Sequence, residues 1–469
     1  MDQKLTPLLK ALKDKLHTSS YHVPGHKNGN VFLEEARPFF DSILRLDSTE
    51  IEGLDDLHDP GGVIKEAEDL LADLYGTVSS SFLVGGSTSG NLAMLLSTVK
   101  RGQKVLVQRN SHQSVFHGLE LAGAVPVFLH PDTDSGSGIA LGIHEETLQT
   151  GLEAHTDAAA VLLTNPTYEG YGQDLRKHTE ICRRYEAAFL VDEAHGAHFF
   201  RGNKEWFPES ALQAGADLVV QSAHKTLPAM TMGAWIHRGT DYISEKRLRR
   251  ALMMVQSSSP SYPLMASLDA ARAYMASKQD WEETSRQIQS RKQQLSTFVS
   301  LLPDYIGPYE LDPLKINLFA GRERGEKPEQ WQKMMQSSRA YAEMISPVHL
   351  LAVLSLDQAE NDRLLQQLIR VFSRETFLPG SPHSLAPGER QPSRLMLSFG
   401  EMEERMEKET QWEESEGEIA AETIVPYPPG VPLLIRGERV TKKHLEKRAR
   451  LLHRGVRIKG GAQKLIIFK

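Results

Sequence analysis

Lys225 stands just past an apolar run, Ala216-Asp-Leu-Val-Val220, with His224 before it and Ser222 three positions back. A lysine that ends a buried strand has the properties of a Schiff-base residue. Burial penalises its ammonium form, and the neutral amine that results is a nucleophile towards an aldehyde. Ser222 and His224 could hold an anionic group carried by the same aldehyde molecule. The tetrapeptide alone would equally suit a surface lysine that follows a strand, and three other strand ends bear on the choice.

Each of these is an apolar run that stops at a residue of matching chemistry. Lys104-Val-Leu-Val107 leads to Arg109-Asn-Ser-His112, where His112 could stack flat on an aromatic ring. Ala159-Ala-Val-Leu-Leu163 leads to the turn-rich Thr164-Asn-Pro-Thr-Tyr-Glu-Gly170. Ala187-Ala-Phe-Leu-Val191 leads to Asp192-Glu-Ala-His195, which offers a carboxylate and a second imidazole. Ahead of them, Ser79-Ser-Ser-Phe-Leu-Val84 runs into Gly85-Gly-Ser-Thr-Ser-Gly90, and Asn91-Leu-Ala-Met-Leu-Leu96 reads as a helix. Glycines let a backbone approach a phosphate. The N–H groups at a helix start, with the Thr88 and Ser89 hydroxyls, can bind it. Alone, that segment is also an ordinary helix cap. In one series, these residues are what a pyridoxal phosphate (PLP) site needs: lysine for the aldehyde, acid for the ring nitrogen, imidazole for the ring face and donors for the phosphate.

The elements that must position these residues alternate between strand and helix from about residue 46 to 290. That alternation implies an α/β fold with a doubly wound, mostly parallel sheet, and ligands bind such sheets at the carboxyl ends of their strands. Upstream lies an amphipathic helix (Leu5, Leu8, Leu9, Leu12, Leu16) and then a loop at Pro24-Gly25. Helical character is expected over Asp280–Leu302 and Asp357–Ser373, and a strand over Ile316-Asn-Leu-Phe319. A Pro/Gly/Ser loop from Leu378 to Pro392 precedes a glutamate-rich stretch, Glu401–Glu422. The tail beyond Gly437 is basic, and a solvated helix face pairing with the acidic stretch is its expected role.

At 469 residues the chain can bury a sizeable core over two or three domains. A net charge of −7 argues against general nucleic-acid binding. The single cysteine, Cys182, rules out an intramolecular disulfide and sits at an expected buried helical position. Neither a signal peptide nor a membrane-spanning apolar run is present in the sequence, so a cytoplasmic location is expected. Asp192-Glu-Ala-His195 is also the letter pattern of a helicase motor, which additionally needs a phosphate loop containing Gly-Lys, and that dipeptide is absent. Glu193, His195 and His198 miss the His-Glu-x-x-His spacing of a zinc site, so no metal is expected. His117 reads as a structural histidine.

The chain resembles the ornithine/lysine/arginine decarboxylases, PLP enzymes of aspartate-aminotransferase fold type I. The resemblance is carried by Val23-Pro-Gly-His-Lys27, Gly53-Leu-Asp-Asp-Leu-His58, Val63-Ile-Lys-Glu-Ala67 and Gly86-Ser-Thr-Ser-Gly-Asn91. It continues through the Asp192 and Lys225 segments, Ser259-Pro-Ser-Tyr262, Leu264–Arg272 and Val425-Pro-Tyr-Pro-Pro-Gly-Val-Pro432. Met232 stands where many larger degradative members carry glutamine, a departure that bears on substrate subtype rather than on the cofactor. The resemblance implies an N-terminal arm (1–45) that packs on a partner subunit, a PLP-binding large domain (46–302) and a smaller α+β C-terminal region (303–469). The additional N-terminal wing of larger members is expected to be missing. Lys225 would hold PLP, Asp192 would pair with its ring nitrogen, and His112 would stack on the ring. Thr88, Ser89, Ser222 and His224 would hold the phosphate, and His195 would relay a proton. The implied reaction is decarboxylation of a basic amino acid: arginine to agmatine first, then lysine or ornithine, with transamination a remoter alternative. A homodimer or dimer of dimers is expected, with Ser257–Tyr262 reaching into the partner's site.

Overall fold

The computed structural model describes residues 1–320, 328–346, 348–373, 383–426, 431–453, 456–461 and 463–469. Residues 427–430 of the Val425–Pro432 motif and 378–382 of the Pro/Gly/Ser loop lie outside the described residues. The chain forms two compact units, each discontinuous in sequence. One comprises 1–98, 189–204 and 209–281, and the other 99–188, 205–208 and 282–469.

Apolar, β-branched runs form strands β1 (Ser79–Leu83), β2 (Lys104–Gln108), β3 (Val125–Leu129), β4 (Ala160–Thr164), β5 (Ala188–Asp192), β6 (Leu218–Gln221) and β7 (Ala234–Arg238). In the first unit the strand order is β1-β7-β6-β5, with β5 parallel to β6 and β7 antiparallel to both its neighbours. In the second unit the order is β4-β2-β3, all parallel, with Ser393–Arg394 added antiparallel at the β3 edge. Leu218, Val219 and Val220 of β6 are fully buried, as are Phe189, Leu190 and Val191 of β5. Near-continuous burial is what a strand covered on both faces requires.

Helices α1 (Pro7–Asp14), α2 (Arg37–Leu46), α3 (Val63–Tyr75), α4 (Gly86–Thr98), α5 (Gln113–Ala122) and the single turn α6 (Ala223–Thr226) bear on the site. The start of α4 differs from the sequence expectation, since the helix begins at Gly86 rather than Asn91. Ser89 Oγ donates to Gly86 O at 2.8 Å, so the Gly/Ser segment forms the first turn itself instead of leading up to it. The helix expected over Asp280–Leu302 runs only from Trp281 to Leu295. Past Leu295, Thr297 and Phe298 close short turns on Gln294 and Leu295. Cys182 is buried on the helix Arg176–Arg184, as the sequence indicated. The later elements Lys315–Phe319 and Gln358–Phe372 match their sequence expectations, the second capped by Asp357, which accepts from Glu360 N at 2.8 Å.

The basic tail meets the acidic stretch by a different route from the one expected. Glu407–Thr410 pairs antiparallel with Leu465–Phe468, and Lys464 bridges to Glu409 at 3.0 Å. The basic helix Lys442–His453 contributes a cation–π contact instead, with Arg448 4.3 Å from the Trp412 ring centroid.

Candidate active site

Strand β6 ends at Ser222, and the chain then makes the one turn of α6 that carries His224 and Lys225. Lys225 Nζ lies 3.0 Å from His195 Nε2. A charged lysine donates in this contact and the imidazole accepts, so Nε2 is placed to take the proton that must leave before the amine can attack an aldehyde. His195 is held by the turn after β5, where Ala194 N donates to Asp192 Oδ1 at 3.1 Å and Ser222 N donates to Ala194 O at 3.3 Å. The lysine and histidine segments are therefore tied by backbone as well as by side chain.

Asp192 is buried, 2 % exposed, and Asn91 Nδ2 donates to its Oδ2 at 2.8 Å. Asn91 sits in the second turn of α4, which ties the acid to the glycine-rich segment. That segment is tied in turn to the lysine loop: Gly86 N donates to Met232 O at 2.9 Å, and His224 N and Nδ1 both contact Gly233 O, at 3.1 and 2.9 Å. Met232 holds this carbonyl in place from a φ of +76°, a conformation costing a residue with a side chain roughly 1–2 kcal/mol. Lys225, His195, Asp192, Asn91, His224 and the start of α4 thus form one hydrogen-bonded circuit within the first unit.

The remaining expected residues are placed as follows. Ser222 is fully buried, and its Oγ finds no hydrogen-bond partner in the protein. Thr88 is exposed on the first turn of α4. Ser89 is buried and its hydroxyl proton is committed to Gly86 O, so what it can offer an anion is its backbone N–H. His112, in the second unit, is the N-cap of α5. Its Nδ1 accepts from Ser114 N at 3.2 Å, which fixes the ring by its edge.

Sequence reasoning assigned no role to several residues that the geometry brings in. Asn91 had been quoted only as part of a motif. Thr226, one turn beyond Ser222, also has a buried hydroxyl without a partner. Glu193 is fully buried and points away from its neighbour, as successive strand residues must. Its oxygens accept from Ser210 Oγ at 2.9 Å, Ala211 N at 2.7 Å and Gln221 Nε2 at 2.6 Å. Burial pushes its carboxyl up to about 8 against the pull of those donors. The signal that could have flagged it was this alternation, which allows only one of Asp192 and Glu193 to face the site. Among the described residues, no cluster of three or more His, Cys, Asp or Glu is arranged to hold a metal ion. No described helix is long and apolar enough to cross a membrane.

Residues 6–351 match the family described as Orn/Lys/Arg decarboxylase, major domain, and residues 391–453 match its C-terminal domain. The chain belongs to the Orn/Lys/Arg decarboxylase family. A relative from Bacillus subtilis (strain 168), the uncharacterized protein YaaO, is 42 % identical over 97 % of this chain and 96 % of its own. The arginine decarboxylase of the same organism is 32 % identical over 98 % of this chain and 96 % of its own. Among solved structures, the Francisella novicida lysine decarboxylase LdcF shares the fold with a TM-score of 0.80, at 20 % identity over 99 % of this chain and 81 % of that one. A serine palmitoyltransferase from S. paucimobilis, solved with bound PLP, aligns with a TM-score of 0.51 at 17 % identity, over 73 % of this chain and 82 % of that one.

This Orn/Lys/Arg decarboxylase family member is therefore a PLP-dependent amino-acid decarboxylase with the α/β fold of PLP-dependent transferases. The donor set fits the cofactor. A buried hydroxyl without a partner is costly, about 1–3 kcal/mol, and an anionic oxygen is the acceptor that Ser222 Oγ lacks. PLP, when bound, supplies the aldehyde that takes up the amino group and the ring that accepts the electrons left as carbon dioxide departs.

Proposed function

We propose that this decarboxylase converts L-arginine to agmatine and carbon dioxide, taking up one proton per turnover, and so supplies polyamine metabolism. The observation that carries the substrate is the arginine decarboxylase relative, alike across almost the whole of both chains. Because the family description also names ornithine and lysine, lysine stands second and ornithine third.

In this reading Lys225 holds the cofactor's aldehyde and gives it up to the substrate amine. Asp192, fixed by Asn91 and Ala194 N, holds the ring nitrogen in its protonated form, because an adjacent carboxylate favours the charged state. Ser222 and His224, with Thr88 and the Ser89 N–H at the start of α4, hold the phosphate. His112 covers the ring face. His195 Nε2 takes the proton from Lys225 Nζ and returns it when Cα is protonated.

The same proposal includes a cytoplasmic homodimer. Its support is the arm, where Tyr21, Val23, Val31, Leu33, Phe39 and Phe40 are all exposed, Tyr21 to 95 % and Phe39 to 83 %. Apolar side chains gathered in this way mark a contact surface. Ser257–Tyr262 is fastened from below: His58 Nε2 bonds Ser257 O at 2.8 Å and Tyr262 Oη donates to Asp55 O at 2.5 Å. Ser257, Ser258 and Ser259 themselves stay exposed, available to a partner's site.

The test is an assay of the PLP-loaded protein with arginine, lysine and ornithine offered separately, scored for carbon dioxide and for the amine. Agmatine formed with the highest kcat/KM supports the reading. Cadaverine or putrescine in preference would move the substrate, and keto-acid formation without carbon dioxide would replace the reaction.

A further inference from the structure

The turn Asp192–Gly196 carries the acid and the imidazole of the site, yet few bonds hold it from outside. Glu193 N donates to Val220 O at 2.9 Å, Gly196 N closes on Glu193 O at 2.8 Å, and Ser222 N reaches Ala194 O at 3.3 Å. The side chain that leaves this turn for the interior is Glu193, and its carboxylate is the first member of a longer chain. Gln221, at the end of β6, gives its Nε2 to Glu193 and also approaches Gly196 O at 3.3 Å. Its Oε1 takes His237 Nε2 of β7 at 3.1 Å. His237 Nδ1 meets Ser80 Oγ of β1 at 2.7 Å, and that hydroxyl contacts Thr77 Oγ1 at 2.9 Å. Each strand of the first unit thus contributes one polar side chain at or beside its run, under the loops that carry Asp192, His195 and Lys225.

The chemistry of this chain is directional. Ala211 N and Gln221 Nε2 can only donate, so both Glu193 oxygens must accept. Gln221 must present Oε1 to the ring, so His237 carries its proton on Nε2 and accepts on Nδ1 from Ser80. Burial agrees, holding the His237 imidazole neutral with its pKa lowered to about 3. Tyr75, 4.7 Å away between ring centroids, covers the imidazole and donates through Oη to Ala197 O, just beyond the turn.

We propose that Glu193 is a positioning residue for decarboxylation: tied to Ser210, Ala211 and Gln221, it fixes the Asp192–Gly196 turn so that His195 Nε2 stays within hydrogen-bond reach of Lys225 Nζ. Glu193 touches neither the lysine nor the acid's ring-facing oxygens, and it acts through the turn alone. The proposal rests on the decarboxylase reading of the site.

The experiment compares Glu193→Gln and Gln221→Leu with wild type in the PLP-loaded enzyme. Glutamine keeps the volume of Glu193 but sets an NH2 group against donors. Leucine at 221 removes one donor and breaks the link to His237. Three quantities are read: the visible circular dichroism of the bound cofactor without substrate, the Kd for PLP, and kcat with KM. Expected for both variants are a reshaped cofactor dichroism, a kcat lower by about 10–100-fold, as an ångström-scale misplacement costs, and a KM within about threefold of wild type. A folded Glu193→Gln enzyme with wild-type dichroism and kcat overturns the proposal. If that variant does not fold, Gln221→Leu decides alone: wild-type values, or a failure to fold there too, assign the network to stability and overturn the positioning role. Since the dichroism is read without substrate, a wild-type enzyme inactive on all three amino acids would defeat the proposed reaction while leaving this result standing.

Discussion

Gly90→Ala puts the packing under the site to a quantitative test. An alanine in mid-helix ordinarily stabilises by about 1 kcal/mol relative to glycine. At Gly90 an ideal Cβ would fall 2.7 Å from Leu83 Cδ1 and 2.8 Å from both Val220 methyls. Carbon atoms in contact prefer roughly 3.5–4.0 Å, so α4 must rise about 1 Å from β1 and β6. Overpacking of that order costs about 1–3 kcal/mol, which outweighs the propensity gain. The same displacement pulls Asn91 away from Asp192, a bond now 2.8 Å long, and moves the start of α4 relative to Ser222. The expected variant is less stable by about 1–2 kcal/mol and binds PLP at least about tenfold more weakly, as loss of one or two charged hydrogen bonds implies. Thermal unfolding of apoenzyme and a PLP titration measure the two effects. Gly61→Ala is the control, since nothing lies within 4 Å of its Cβ. A Gly90→Ala protein as stable as wild type, with unchanged PLP affinity, would refute the claim that α4 must lie this close to β6.

Other expectations follow from single groups. Asp192→Ala should fold but lose at least about 10²–10³-fold in single-turnover carbon dioxide release, and a near-normal rate would mean the ring partner is misassigned. Glu68 is 2 % exposed beneath β1, and burial, opposed by the bond from Phe82 N and by Arg249 and Lys65, raises its carboxyl from 4.5 to about 8. A raised acid stabilises the fold below the unfolded value, and that contribution is lost as pH climbs through the folded one. Glu68→Gln should therefore match wild type near pH 5 and exceed it by a few kcal/mol near pH 9, with a pH-independent difference in Tm as the contrary result. Phe39→Asp with Phe40→Asp should dissociate the homodimer in sedimentation velocity at assay concentration, and an unchanged dimer would remove the arm from the interface.

What could be read from the sequence was local. Each strand of the Lys225 unit announces itself as an apolar run, and the residue that ends the run is where the structure puts its polar group. That is why Asp192, Ser222 and Lys225 could be found before any coordinates. The pairing of Asn91 with Asp192 could not, because it spans 101 positions and depends on α4 lying flat on β6, which Gly90 permits. Ser89 was misjudged in detail for a related reason: once the helix begins at Gly86, the serine's hydroxyl serves the helix's own first turn. The Asp-Glu pair after β5 reads as two site acids by letter, and only the alternation of the strand separates a ring partner from a buried anchor.

The most direct test of the account is chemical capture at Lys225. Purified protein loaded with PLP, reduced with borohydride and digested should carry the pyridoxyl group on the peptide containing Ser222–Lys225, and Lys225→Ala should carry none. A pyridoxyl group on another lysine, or an unlabelled wild-type protein that demonstrably binds PLP, would contradict the site from which every other assignment is built.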